Sequence, residues 1–75
     1  MSERLPAVKP QQLMRVLEGR GWQLIRTRGS HYVFKHQEFP NRIVVPVHGR
    51  ELKRGILTAI MKDAGISREE FRGLL

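Results

Sequence analysis

Apolar residues along the chain follow three successive patterns, helical, then alternating, then helical again. In the first of these, Leu13, Val16 and Leu17 recur at the i, i+3, i+4 spacing of one helical face. Two glycines, Gly19 and Gly21, follow this stripe, as is typical where a helix ends. The pattern therefore predicts a helix that begins near residue 10 and stops before the aromatic segment.

Between residues 22 and 48 the chain is rich in aromatic and β-branched residues, which favour strands. The pairs Gly29-Ser30 and Pro40-Asn41 are typical turn sequences and predict two tight hairpins. Pro46 cannot donate a ladder hydrogen bond, so we place the last strand at a sheet edge. The three predicted antiparallel strands span about 22–28, 31–36 and 42–48.

After Gly49 the apolar spacing becomes helical again and stops at Gly65. Ser67 and Glu70 then have the spacing of a capping box, which predicts a short terminal helix running to about Leu75. The apolar stripe of the preceding helix consists of Ile56, Leu57, Ile60, Met61 and Ala64.

The predicted order of elements is α-β-β-β-α-α. This is an α+β fold in which helices cover one face of a three-stranded antiparallel sheet. The sequence shows no internal repeat, linker or low-complexity tract, and 75 residues suffice for one modest core. We therefore expect a single domain over residues 1–75, with residues 1–8 as a flexible lead-in.

The two tight turns fix which residues face each other across the strands, since opposite residues of an antiparallel pair share a face. With Gly29 and Ser30 at the centre of the first turn, the predicted pairs are Arg28 with His31, Arg26 with Val33, and Leu24 with Lys35. With Pro40 and Asn41 at the centre of the second, they are Lys35 with Pro46 and Val33 with His48. One extra residue in either loop would invert a strand.

These registers separate a cationic face from an apolar face. The apolar face is the better surface for helices to cover, so the cationic face is predicted to be open to solvent. His31 and His48 become diagonal neighbours there, with Cα atoms about 7–8 Å apart, a spacing that could hold a phosphate. The cationic set is Arg26, Arg28, His31, Lys35 and His48; the apolar set is Ile25, Thr27, Tyr32, Phe34, Val45 and Val47.

Composition identifies the class of partner. Fourteen Lys and Arg against seven Asp and Glu give a net charge of +7, which favours a polyanion. The chain has no cysteine, hence no disulfide or thiolate metal site, and no apolar run of the roughly 20 residues that span a bilayer. Its charged, proline-containing N-terminus does not resemble a signal peptide, so we expect a cytoplasmic protein without membrane attachment.

A histidine among cations matches the needs of RNA cleavage by the RNA's own 2′-hydroxyl. His31 could act as the general base while arginines hold the phosphate, and no cofactor would be required. Ser30 is first a turn residue but could orient His31, and His36 falls on the core side, where a structural role is expected. A metal site at His31 and His48 would lack a third ligand.

Other interpretations of the same residues stay open. The cations could form an ordinary solvated face, or a non-catalytic module could bind RNA without cutting it. A third hypothesis is that the protein acts chiefly as an interaction partner. Exposed Trp22, Leu24 and Val33 would then form an apolar patch that binds an acidic protein.

Several motifs resemble the HicA family of small bacterial toxins. They are Gly29-Ser30-His31 after a strand, YVF in the next strand, IVVPVHGREL at 43–52, the GIL segment that opens the following helix, and GIS-x-EEF at 65–71. The resemblance covers Gln12 to Leu75. It implies a double-stranded-RNA-binding-domain-like α-β-β-β-α fold with a short added C-terminal helix.

The resemblance also implies an activity and a partner. It implies an mRNA endoribonuclease that blocks translation, is independent of metal and is neutralised by a HicB-type antitoxin. The catalytic residue of the Gly-Ser-His motif would be His31, and supporting roles would fall to Gly29, Ser30 and His48. Whether the protein forms homo-oligomers stays open. The cations expected to bind RNA are Arg26, Arg28, Lys35 and Arg50.

Overall fold

The computed structural model describes residues 7–49 and 51–74. Its element order is the predicted α-β-β-β-α-α, an α+β arrangement of the double-stranded-RNA-binding-domain type. The helices are α1 (Pro10–Gly19), α2 (Arg54–Ala64) and α3 (Arg68–Leu74), and the strands are β1 (Gln23–Arg28), β2 (His31–His36) and β3 (Phe39–Pro46). No helix in these two ranges is long and apolar enough to cross a membrane.

The sheet is antiparallel with the order β1-β2-β3, so β3 lies at an edge, as Pro46 predicts. Its core-facing residues Phe34, Ile43 and Val45 are almost completely buried and pack in one cluster with the apolar stripes of the helices. Burying such side chains is the main source of stability in a domain of this size. The predicted choice of core face is thus confirmed for the two strands that bury the most apolar surface.

The first hairpin has the predicted turn, but β1 contains a bulge. Arg28 faces His31 and Arg26 faces Val33, as expected. The expected pairing of Leu24 with Lys35 is wrong, because the register shifts at Ile25 and Leu24 faces Phe34 instead. Since a bulge inserts one unpaired residue, it leaves Ile25 38% exposed rather than packed in the core.

The second hairpin turns earlier than predicted, at residues 37 and 38, and β3 begins at Phe39. Val33 therefore faces Val44 rather than His48, and the predicted pairing of Lys35 with Pro46 is also wrong because Pro46 faces His31. The register moves by four residues, which is an even number, so every side chain of β3 stays on its predicted face.

His36 explains the early turn. Its Nδ1 accepts a hydrogen bond from the backbone N–H of Glu38 at 3.0 Å, inside the turn itself. Its ring packs edge-on against Phe39, with ring centroids 4.9 Å apart, and against Trp22 at 5.1 Å. A side-chain anchor of this kind competes with the turn preference of Pro40-Asn41. The expected structural role of His36 is confirmed.

The predicted lead-in ends sooner than residue 8. Val8 is buried in the core, and its carbonyl accepts a hydrogen bond from the N–H of Leu52 at 2.8 Å. This bond ties the segment before α1 to the segment before α2. The remainder of the predicted flexible segment, residues 1–6, lies outside the described residues.

The burial of Trp22 follows from the hydrogen bonds that end α1. Its N–H donates to the carbonyl of Leu17 at 3.0 Å, and the N–H of Gly21 donates to Glu18 at 3.1 Å, the hydrogen-bond pattern of a Schellman motif. This tight turn directs the indole inward, where Trp22 is only 2% exposed. The expectation of an exposed Trp22 is therefore wrong.

The capping box before α3 is confirmed. The hydroxyl of Ser67 accepts from the N–H of Glu70 at 3.0 Å, and the carboxylate of Glu70 accepts from the N–H of Ser67 at 2.9 Å. The second carboxylate oxygen accepts from Arg20, also at 3.0 Å, and so joins α3 to the end of α1. One carboxylate therefore caps a helix and links two elements.

Low pH should weaken the contact between Glu70 and Arg20, and the variant Glu70→Gln tests this expectation. The pKa of Glu70 lies below its usual 4.5, chiefly because the Ser67 N–H and then the Arg20 guanidinium donate to the charged carboxylate. A depressed pKa contributes stability above the unfolded-state pKa and loses it as pH falls through the folded-state value. Melting temperatures of wild type and Glu70→Gln should therefore differ at pH 7 and differ less at pH 3, since the stabilisation is lost as the pH falls below 4.5.

The matched control is Glu69→Gln, which removes an exposed charge from the same turn of α3. Its melting temperature should follow that of wild type at both pH values. A gap between wild type and Glu70→Gln that persists unchanged at pH 3 would contradict the assigned role of the carboxylate.

Candidate functional site

The face of the sheet away from the core cluster is the candidate site, and we call it the open face. Side chains alternate between faces along a strand, so residues next to the buried Phe34, Ile43 and Val45 belong to it. The strand pairings place the β1 members opposite those of β2. The open face comprises Gln23, Arg26, Arg28, His31, Val33, Lys35, Arg42, Val44 and Pro46.

His31 occupies the first position of the central strand on this face. Its cross-strand partners are Arg28 on one side and Pro46 on the other, and its side chain is exposed. The turn before it is a two-residue hairpin loop in which Gly29 has φ +59. A left-handed residue at the first central position is the requirement of a type II′ hairpin turn, which glycine meets without strain.

Ser30 holds the start of β2 against β3. Its carbonyl accepts a hydrogen bond from the N–H of Val47 at 2.6 Å, one residue past the end of β3. The bond extends the pairing beyond Pro46, which has no N–H of its own. Gly29 and Ser30 therefore fix the position of His31 through the backbone.

The two remaining candidates lie beyond the end of β3. His48 is exposed, follows Pro46 by two residues, and lies in the segment that the Ser30–Val47 bond holds beside the first turn. This is a different place from the one predicted, since the register moved by four residues; its approach to His31 remains a prediction. Arg50 lies outside the described residues.

The open face is strongly cationic. Arg26, Arg28 and Lys35 are exposed, and the one ion pair among residues 7–49 and 51–74 joins Arg20 to Glu70 on the helical side. Among the described residues, therefore, no carboxylate forms an ion pair with a cation of the open face. Such a face attracts an anion that carries several charges.

Arg42 belongs to the open face but is missing from the sequence prediction. It is exposed and alternates with the buried Ile43 and Val45. The same alternation is visible in the sequence and could have identified it. Arg42 extends the row of cations onto the third strand.

Apolar groups on the open face differ from the predicted patch. Val33 is half-buried and Val44 is 46% exposed, and the two face each other across β2 and β3. Trp22 is in the core and Leu24 faces Phe34 on the other side of the sheet, so the predicted patch of Trp22, Leu24 and Val33 does not form.

The histidines of β2 have contrasting surroundings. His36 is held by hydrogen bonds at both ring nitrogens, since Nδ1 accepts from Glu38 and Nε2 donates to the carbonyl of Arg20 at 3.0 Å. The imidazole of His31 makes no hydrogen bond to another described residue. The described residues contain no group of three or more His, Asp or Glu that could hold a metal ion.

One comparison with known proteins bears on the open face. The family model described as HicA toxin of bacterial toxin–antitoxin matches residues 10–66, which is more than half of the chain. The match begins with α1 and includes the whole sheet and α2, and therefore every residue of the open face. A search of curated proteins found no significant match.

Proposed function

Because the chain belongs to the HicA family of toxins from bacterial toxin–antitoxin systems, we propose that it is an mRNA endoribonuclease whose substrate lies on the open face. Membership in this family implies an antitoxin protein as partner. Cleavage of mRNA would block translation, and His31 would act as the general acid and base.

The observation that carries the proposal is the position of His31. It heads the central strand, is exposed, and has an arginine directly opposite it on a cationic face without a described carboxylate. Histidine changes its charge near neutral pH and can therefore both accept and donate a proton there. The surrounding cations suit a substrate whose reacting group is a phosphate.

The chemistry follows from what RNA supplies. The 2′-hydroxyl attacks the adjacent phosphorus while His31 accepts its proton, the bond from phosphorus to the 5′-oxygen breaks, and the imidazolium of His31 gives the proton to the departing 5′-oxygen. The products are a 2′,3′-cyclic phosphate and a 5′-hydroxyl. A general base contributes about 10²–10⁴-fold to such a step. Arg26 and Arg28 would supply the rest by orienting the phosphate and stabilising its developing charge.

The other candidates serve binding and positioning. Lys35 and Arg42 extend the cationic surface beyond the reacting phosphate, and Arg50 would add a further charge. Gly29 and Ser30 position His31 through the turn, and His48 would support the phosphate from the end of β3. Since phosphate contacts carry no base identity, these cations provide affinity rather than sequence preference.

A second function is favoured by one observation. The imidazole of His31 has no hydrogen-bond partner among the described residues, whereas a general base is commonly oriented by a second group. A non-catalytic RNA-binding module would use the same cations and would have no need for an oriented imidazole. The two functions differ in whether the bound RNA becomes shorter.

Purified protein incubated with a single-stranded RNA should shorten it, with the same rate in chelator as without. The matched substrate is the same sequence with 2′-O-methyl groups, which lacks the nucleophile but keeps every phosphate. We expect it to bind with similar affinity and to remain intact, because binding depends on phosphates and cleavage on the 2′-hydroxyl. Gel analysis of product ends would identify the cyclic phosphate. RNA that shifts in a native gel but keeps its full length would support the binding module instead.

A further inference from the structure

The free edge of β1 is unlike the other edge of the sheet. On β3, the Val47 N–H points towards β2, so by alternation the nitrogen of Pro46 points outward, where it offers no donor. Proline at an edge blocks pairing with another strand. β1 contains neither proline nor glycine, all six of its residues are exposed, and it pairs with β2 alone among the described strands.

The outward hydrogen-bonding groups of β1 can be assigned from the ladder. The carbonyl of Ser30 points towards β3, so the backbone groups of His31 point towards β1 and bond to Arg28 across the turn. Arg26 pairs with Val33 in the same way. Between them, the N–H and C=O of Thr27 point away from the sheet. Thr27 therefore offers one donor and one acceptor to an incoming strand.

Side chains along β1 define the chemistry of that strand. A residue paired with Thr27 would have neighbours opposite Arg26 and Arg28, on the open face, where the two guanidinium groups have no described carboxylate partner. A residue further along would meet Leu24, which is 43% exposed on the other face. Opposite charges and apolar pairs across strands are stabilising. A complementary segment therefore has two acidic residues, opposite Arg28 and Arg26, with any residue between them, and apolar residues after them.

A second copy of this chain fits this edge poorly. Antiparallel pairing of two β1 strands about Thr27 would place Arg26 of each copy opposite Arg28 of the other. Like charges directly opposite are destabilising. The charges of β1 therefore select against self-pairing and in favour of an acidic partner.

We infer that the β1 edge is a docking site for an extended acidic segment of a partner protein, which adds to the sheet as a fourth strand next to Thr27. This mode of recognition takes affinity from main-chain hydrogen bonds and specificity from alternate side chains. If the proposed function is also correct, the acids of that segment would occupy Arg26 and Arg28 and so exclude RNA phosphates from them.

The test uses a blocked peptide with the order Glu-Val-Glu-Ile-Val and a control with the order Val-Glu-Glu-Ile-Val. Both have the same composition and charge, but the control places its two acids on opposite faces of a strand. Titrated into ¹⁵N-labelled full-length protein, the first peptide should shift the amides of β1 and slow hydrogen exchange at Thr27. The control should bind about tenfold more weakly, since it loses one arginine contact of roughly 1.4 kcal/mol.

Two changes then isolate the backbone contact. Thr27→Pro removes the outward N–H but leaves both arginines, so peptide affinity should fall by about tenfold while RNA binding stays near wild type. Thr27→Val should bind the peptide as wild type does. Should Thr27→Pro fail to fold, N-methylation of the first valine in the peptide removes the donor to the Thr27 carbonyl and so tests the other hydrogen bond of this pair on the unaltered protein.

The inference is overturned if both peptides bind equally, or if neither Thr27→Pro nor N-methylation weakens binding, because the peptide would then be held only as a polyanion. It is also overturned if the protein alone dimerises through β1 in sedimentation. The peptide-binding measurements contain no RNA, so a protein without ribonuclease activity could still pass them, and an active one could fail.

Discussion

His31→Ala should abolish RNA cleavage and growth arrest on induced expression while RNA affinity changes little. The substitution removes the only imidazole on the open face among the described residues, but leaves the cations that hold the phosphates. We expect cleavage to fall by at least about 10²-fold, the lower range for loss of a general base. Rates are best measured with RNA in excess, so that binding does not limit them.

A matched change on the same strand separates chemistry from binding. Lys35→Ala removes an exposed cation four residues along β2 from His31. It should weaken RNA binding and lower the log–log salt slope by about 0.7, the value for one single-strand phosphate. Cleavage at saturating RNA should remain. Full cleavage activity in His31→Ala would contradict the role of His31 and remove this residue from the mechanism.

Stability has to be measured beside activity. The side chain of His31 is exposed and makes no hydrogen bond to another described residue, so His31→Ala should change the free energy of unfolding by no more than about 0.5 kcal/mol. Loss of activity with an unchanged thermal melt is therefore attributable to the missing imidazole. Loss of both would indicate that the variant does not fold, and His31→Gln would then replace it.

The element order was predictable because each boundary carries its own local signal. Gly29-Ser30 fits the hairpin that forms, and Ser67 with Glu70 makes the capping box that begins α3. The choice of faces was equally predictable from the alternation of apolar residues in β2 and β3. These signals depend on neighbours in sequence, and they brought Arg26, Arg28 and His31 together correctly.

The errors arise where a tertiary contact overrides a local preference. Pro40-Asn41 is a good turn sequence, but His36 bonds to Glu38 and packs on Phe39, and the chain turns there. No local pattern indicates this turn, because the ring of His36 also packs against Trp22, which precedes β1 in the sequence. The face of Val44 and Pro46 was still correct, because an even register shift preserves it.

The bulge in β1 is an error of a different kind. The sequence of β1 does not indicate the extra residue at Ile25. This residue nevertheless moves Leu24 to the other face of the sheet. The predicted apolar patch beside the cations depended on that placement. Its loss leaves Val33 with Val44 as the apolar part of the open face, and makes Leu24 available at the outer edge of β1.

Gly21→Ala should have the largest effect on stability of any single methyl group added to the described glycines. Gly21 has φ +96, a conformation that costs about 1–3 kcal/mol for a residue with a side chain. An added Cβ would also lie 2.9 Å from Nε2 of His36, where real Cβ atoms are essentially never found. The ring would have to move, and its hydrogen bonds to Arg20 and Glu38 would weaken.

The sum of strain and weakened hydrogen bonds predicts a loss of about 3 kcal/mol in the free energy of unfolding, measured by urea denaturation. Gly19→Ala is the control two residues away, since its Cβ would meet nothing within 4 Å and it lies in the last turn of α1. That change should stabilise the protein by up to about 0.5–1 kcal/mol through helix propensity. Equal effects at the two positions would mean that His36 does not hold the end of α1 against the second hairpin, and that the early turn of β3 has another cause.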